Sequence, residues 1–281
     1  MTSAAGGRRL AHFVFGLRDQ DEPFHLVHFL AIASVLAVVR PDEVLVHCEQ
    51  LPYGVYWDLI RPHVTLRRVS RAEAVTAFAY EDPLVRANAH AHHADIVRLD
   101  ALLEHGGLYA DIDTLFVTPP PEACWTAEAA IGREVDAFDE RIGARRPSLS
   151  NAVLFGTPAS AYLQAWRDRI EAAIDGSWSA HSCLLADDLA TEMPTAVHVE
   201  RRRTFHHFPP SREGLADLLV RRIDDLDGIA AVHLCAHLWW SERRRDLSGV
   251  HATEIDEDWV RTSPSTYAHL ARPFLPEHGL F

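Results

Sequence analysis

Two aspartates separated by a single residue, Asp111 and Asp113, hold the densest potential chemistry in this 281-residue chain. They lie in an apolar run, residues 108–117, that reads as a strand stopped by the prolines at 119–121. Side chains alternate along a strand, so Tyr109, Asp111 and Asp113 are expected on one face and Leu108, Ala110 and Ile112 on the other. Carboxylates this close repel, and each raises the other's pKa unless a cation sits between them. A hard divalent ion, Mn²⁺ or Mg²⁺, suits such oxygens and would also bridge a diphosphate. Just upstream, Asp95 and Arg98 are three apart, one helical turn on one face. Alone that spacing is an ordinary surface ion pair; beside an acidic strand it becomes a clamp.

The elements that must position these groups are legible as periodicities. Residues 12–17 form a short apolar run ending in a glycine turn, the pattern of a buried first strand. Residues 24–39 read as a buried helix stopped near Pro41, and 43–48 and 64–69 as two further strands. Residues 95–105 carry Ile96, Leu99, Leu102 and Leu103 at helical spacing, and Gly106 and Gly107 end that helix. A strand at 151–156, helices at 159–174, 184–190 and 213–220, and a late strand at 230–239 complete the reading. Strands alternating with helices predict a parallel α/β sheet with nucleotide-binding potential. A loose leader is expected over residues 1–9 and a polar, aromatic surface wrap over about 245–281, the whole forming one domain.

Bulk properties narrow the partners. A formal charge of −13 repels phosphate backbones, so nucleic acid is excluded as a partner. All 27 basic residues are arginine, which rules out Schiff-base and P-loop lysine chemistry. The four cysteines, Cys48, Cys124, Cys183 and Cys235, are scattered and form no C-x-x-C pair, the usage of a cytoplasmic protein. No segment is long and apolar enough for a signal peptide or a membrane span.

The segment ADIVRLDALLEHGGLYADIDTLFV, which supplies Asp95, Arg98, Gly106, Gly107, Tyr109, Asp111 and Asp113 at fixed spacing, resembles the D-x-D region of glycosyltransferase family 32 and the large clostridial glucosylating toxins. Shorter similarities lie in residues 23–48, in 150–158 and in the late AHLWW. The resemblance implies a GT-A-like nucleotide-sugar-binding α/β fold with a mostly parallel central sheet flanked by helices. It implies a retaining hexosyltransferase that uses a divalent cation and a nucleotide diphosphate sugar, UDP favoured over GDP. Asp113 would ligate the metal, Asp111 would contact the donor and the metal's water shell, and Asp95 and Arg98 would grip the sugar and diphosphate, with Tyr109 alongside. A third ligand is expected late in the chain. Alternation over 230–239 puts His233, Cys235, His237 and Trp239 on one face; His237 best matches the family's His-x-Trp element, with His233 the second choice. Trp239 or Trp240 would cover the donor, Asn151 would supply a polar contact, and Phe15, or Phe13, would stack on the nucleobase or pack in the core.

Other features have plainer readings. His90, His92 and His93 lack a second group at zinc-ligand spacing and fit a helix entry. His206 and His207 fit a loop, and the arginines at 201–203 a solvated face. Two other functions are weighed. D-I-D-T-L is similar to the nucleophile motif of haloacid-dehalogenase phosphatases, but Thr114 comes one residue early for it. A non-catalytic sugar- or metal-binding module is the other. The sugar, the acceptor and the linkage are not encoded in any motif.

Overall fold

The structure is a computed structural model that describes residues 8–278. Eleven strands lie among the described residues: β1 (Leu10–Val14), β2 (Glu43–Cys48), β3 (Thr65–Arg68), β4 (Gly107–Ala110), β5 (Thr114–Phe116), β6 (Ala129–Arg133), β7 (Ala137–Asp139), β8 (Ala144–Arg146), β9 (Leu149–Gly156), β10 (His198–Glu200) and β11 (Ala231–His233). Seven make one twisted sheet in the order β10-β6-β9-β4-β1-β2-β3. β9 is antiparallel to both its neighbours, and the remaining pairs are parallel. The expected mixed α/β architecture with a mostly parallel sheet is therefore present.

The continuous apolar runs are the reason for parallel pairing. β1 is buried along its whole length and β2 nearly so, as strands covered on both faces must be. One face packs Phe13, Val46, Leu108 and Ala110 against Phe29, Leu30 and Trp239. The other packs Tyr109, Ile131 and Leu154 against Leu99, Leu102 and Trp166. Helix Leu26–Ser34 is buried on every side, starts where the His25 ring accepts the Val27 amide, and passes through a π-turn to Arg40, whose backbone is left-handed (φ 53°). Helix Ala89–His105 runs down the second face and ends at Gly106 and Gly107, both at positive φ. A side chain at Gly107 would meet the Leu10 carbonyl at 2.5 Å, so the turn into β4 demands glycine.

Several expectations give way. The predicted strand over 108–117 is two strands with a turn between them, because the Thr114 amide bonds back to the Asp111 carbonyl at 2.9 Å. β5 then leaves the main sheet and pairs antiparallel with β11. The strand over 230–239 stops at His233, since Cys235 adopts a left-handed backbone (φ 50°) and the chain enters the 3-10 turn Ala236–Leu238. Of the expected leader, residues 1–7 lie outside the described residues, while Arg9 is tied to Asp42 and Glu122. The stretch expected to wrap the surface sends Val260, Tyr267 and Leu275 into the core beneath helix Leu26–Ser34. The strands β6, β7, β8 and β10 had no sequence signal strong enough to be read.

Candidate active site

The site lies at the carboxyl end of β4, where a parallel sheet commonly binds ligands. Helix Ala89–His105 delivers Asp95 and Arg98, with Arg98 Nη2 2.8 Å from Asp95 Oδ1. The other nitrogens of Arg98 also face protein. Nη1 reaches the Asn151 carbonyl and, at 3.3 Å, Asp111 Oδ1; Nε donates to the Ala94 carbonyl. The guanidinium lies 4.5 Å above the Tyr109 ring, whose hydroxyl donates to Asp111 Oδ1 at 2.6 Å. Asn151, on the neighbouring strand β9, donates to Asp95 Oδ1 at 2.7 Å, and His181 Nε2 lies 3.0 Å from Asp95 Oδ2. Burial opposes ionisation of Asp95, but Arg98 and His181 outweigh it and hold the carboxyl below its ordinary pKa.

The turn after β4 carries the rest. Asp113 Oδ2 accepts the Ala236 amide at 2.7 Å, and Oδ1 lies 3.3 Å from His233 Nε2. The same nitrogen is 3.6 Å from Asp111 Oδ2. One ligand atom from each of Asp111, Asp113 and His233 falls within 4.8 Å of the others. His233 faces Thr114 across the β5–β11 ladder, so this small sheet sets the cluster. Burial pushes Asp111 upward with Asp113 adding to it, although Arg98 and His233 pull the other way. Asp113 is held well below the ordinary range: burial works against this, and His233 and the Ala236 amide prevail. His233 in turn sits well above its usual value, because Cys235 and Asp113 overcome the effect of burial. Two carboxylate oxygens and an imidazole are donors that fit a divalent ion such as Mn²⁺ or Mg²⁺.

The histidine that converges with Asp111 and Asp113 is His233, the second choice from the sequence, and not His237. The left-handed residue at Cys235 breaks the alternation that would have aligned the two, and His237 stacks instead on Trp178 at 4.5 Å. Trp239 is fully buried and donates to the Leu234 carbonyl, so it belongs to the core and not to a donor surface. Tyr109 is likewise buried and acts on Asp111. Asp95 and Arg98, with side chains 7% and 3% exposed, face protein groups where a direct grip on donor was expected; Asp111 is the more open, at 23%. Trp240 stacks face to face on His28 at 4.9 Å and bonds Glu22. Phe15, half-buried at the end of β1, meets His28 at 4.9 Å, so Phe15, His28 and Trp240 form an aromatic wall, while Phe13 is core. Of the triple histidine, His92 bonds Tyr80 and His93 accepts the Ala72 amide, both structural roles. Sequence reasoning missed His181, which lies in no motif, and Glu134, whose carboxyl is raised by burial although Cys183 and Ser148 bond it.

Residues 63–131 match the family described as glycosyltransferase sugar-binding region containing DXD motif. The chain is 30% identical over 271 residues to glucan organizing enzyme 1 of Cryptococcus neoformans var. grubii, covering 94% of this chain and 69% of that one. The chain belongs to these DXD-containing glycosyltransferases. Among solved structures it is similar to the galactosyltransferase LgtC in complex with donor and acceptor sugar analogs, at 19% identity over 89% of this chain and 98% of that one (TM-score 0.48). It is also similar to the glycosyltransferase GlyE of Streptococcus pneumoniae, at 12% identity over 91% and 64% (TM-score 0.46). The family assignment removes the ground for the phosphohydrolase alternative.

Proposed function

We infer that this glycosyltransferase moves a hexose from a nucleotide diphosphate sugar, UDP-linked in preference to GDP-linked, to an acceptor hydroxyl, and that it requires a divalent cation. The observation that carries this reading is a charge imbalance. Asp95 and Asp111 share the one arginine Arg98, Asp113 has no arginine partner among the described residues, and the excess negative charge gathers where His233 supplies a third donor atom. Asp111, Asp113 and His233 would hold the ion, and a divalent cation there supplies positive charge for a leaving diphosphate.

The protein's own groups do the positioning. Arg98 and the Tyr109 hydroxyl fix one oxygen of Asp111, which leaves the other free toward the cation side. The Ala236 amide orients Asp113 in the same way. Asp95 is a positioning residue that acts through Arg98, and Asn151 and His181 hold it. The Phe15–His28–Trp240 wall offers a flat apolar surface of the kind that stacks on a base. With no side-chain nucleophile required, attack by the acceptor on the donor face, with retention of configuration, is the reading we adopt. The chain serves as one glycosyltransferase domain, since elements from both halves build the sheet and the cluster. We place it in the cytoplasm; its four cysteines are buried free thiols, and no helix among the described residues is long and apolar enough to cross a membrane.

The test is slow donor hydrolysis with Mn²⁺ supplied, screened over UDP- and GDP-sugars. Turnover of a UDP-sugar that stops on chelation supports the reading. If no nucleotide sugar is turned over in the presence of the metal, the non-catalytic sugar- or metal-binding module takes its place, and a rise in melting temperature with a sugar or with the metal alone tells which.

A further inference from the structure

A second convergence of ligating atoms stands at the edge of the main sheet, three strands from β4. Cys124 lies on the short helix Glu122–Thr126, and His198 and Glu200 lie on the edge strand β10. His198 and Glu200 are two residues apart, so strand alternation turns both toward the same face. One atom from each of the three side chains lies within 4.8 Å of the others. His198 Nε2 is 3.1 Å from Glu200 Oε2. The other carboxylate oxygen, Oε1, is anchored by Thr204 Oγ1 at 2.9 Å and by the Arg201 amide at 3.0 Å, with Arg201 Nε at 3.8 Å. Outer hydrogen bonds of this kind orient a metal-ligating carboxylate. Cys124 is 1% exposed, and among the described residues its sulfur has no hydrogen-bond partner.

We propose that Cys124, His198 and Glu200 form a second cation site, for zinc or a similarly soft divalent ion. The donor set decides the metal. A thiolate beside an imidazole favours zinc over Mn²⁺ or Mg²⁺, whereas Asp111, Asp113 and His233 offer the harder set. Three protein ligands leave a fourth position for water. Binding releases the thiol proton to solvent and places a positive ion between sulfur and carboxylate, which otherwise repel once both are ionised. The site joins the edge strand to the helix beside it, so its effect is to staple that edge in the folded state.

The test uses Co²⁺ as the probe on the whole chain, stripped of metal by chelation. A thiolate bound to Co²⁺ gives an intense near-ultraviolet charge-transfer band that oxygen and nitrogen ligands do not. The proposal expects this band in the wild type and in Asp113→Ala, its displacement by about one equivalent of Zn²⁺, and its loss in Cys124→Ser. Cys235→Ser is the control for the sulfur beside His233, and it must keep the band. Should Cys124→Ser fold poorly, His198→Ala carries the test, with Co²⁺ affinity expected to fall at least tenfold. No band in the wild type, a band that survives Cys124→Ser, or one lost in Cys235→Ser overturns the proposal.

Discussion

Asp95 and Asp111 both rest on Arg98, yet one is closed off by protein and the other is left open. Asp95 has a partner for each oxygen, Arg98 and Asn151 on one and His181 on the other, and its side chain is 7% exposed. Asp111 has Arg98 and Tyr109 on one oxygen, while the other faces His233 at 3.6 Å, beside Asp113. The inner carboxylate is satisfied by the fold. The outer pair is satisfied only in part, and the remaining demand is for positive charge. The difference separates a scaffold from a binding site: removing inner groups should cost stability, and removing outer groups should cost activity.

The largest effect should come from the outer side. Asp113→Asn is expected to lower donor turnover by at least about a thousandfold, roughly 4 kcal/mol of barrier, with the melting temperature little changed because the amide oxygen still accepts the Ala236 N–H. A steady-state assay beside a thermal melt checks both halves. Arg98→Leu tests the inner side. It leaves Asp95 and Asp111 without their cation, and losing one partner of a buried pair costs about 3–5 kcal/mol, readable from the urea midpoint. A stable Arg98→Leu protein would contradict the scaffold assignment. His181→Ala should be milder, about 1–3 kcal/mol, since it leaves only Asp95 Oδ2 without a donor.

A smaller effect is expected from acid. His12 and His47 lie 3.0 Å apart in the interior, where burial lowers them from 6.5 to about 4 and about 3. Because both folded-state values are depressed, the unfolded chain takes up protons that the folded chain refuses. Stability is full above pH 6.5 and falls as the pH drops toward 4. Urea midpoints at several pH values measure the slope; a flat profile across this window would show the pair to be protonated in the folded protein.

What the sequence disclosed follows the range of the interactions involved. β2, the helix bearing Asp95 and Arg98, and the glycine turn into β4 are set by local periodicity and backbone freedom, and they were legible. The Asp–Arg–aspartate constellation was legible too, because its spacing lies within one helix, turn and strand. The choice between His233 and His237 was not. It depends on β5 leaving the sheet to pair with β11 and on Cys235 adopting a left-handed backbone, neither of which a strand pattern encodes. His181 reaches Asp95 from 86 residues away, a contact made only by tertiary packing. The resemblance of AHLWW offered Trp239 and Trp240 alike, and only packing shows that the Trp239 ring turns into the core.

The central claim is that Asp111, Asp113 and His233 together make the cation site, and Mn²⁺ binding by calorimetry in the presence of UDP tests it most directly. The account predicts binding to the wild type, its loss in Asp113→Asn, a weakening of at least about tenfold in His233→Ala, and near-normal affinity in His237→Ala. Unchanged affinity in His233→Ala, or its loss in His237→Ala, would contradict it.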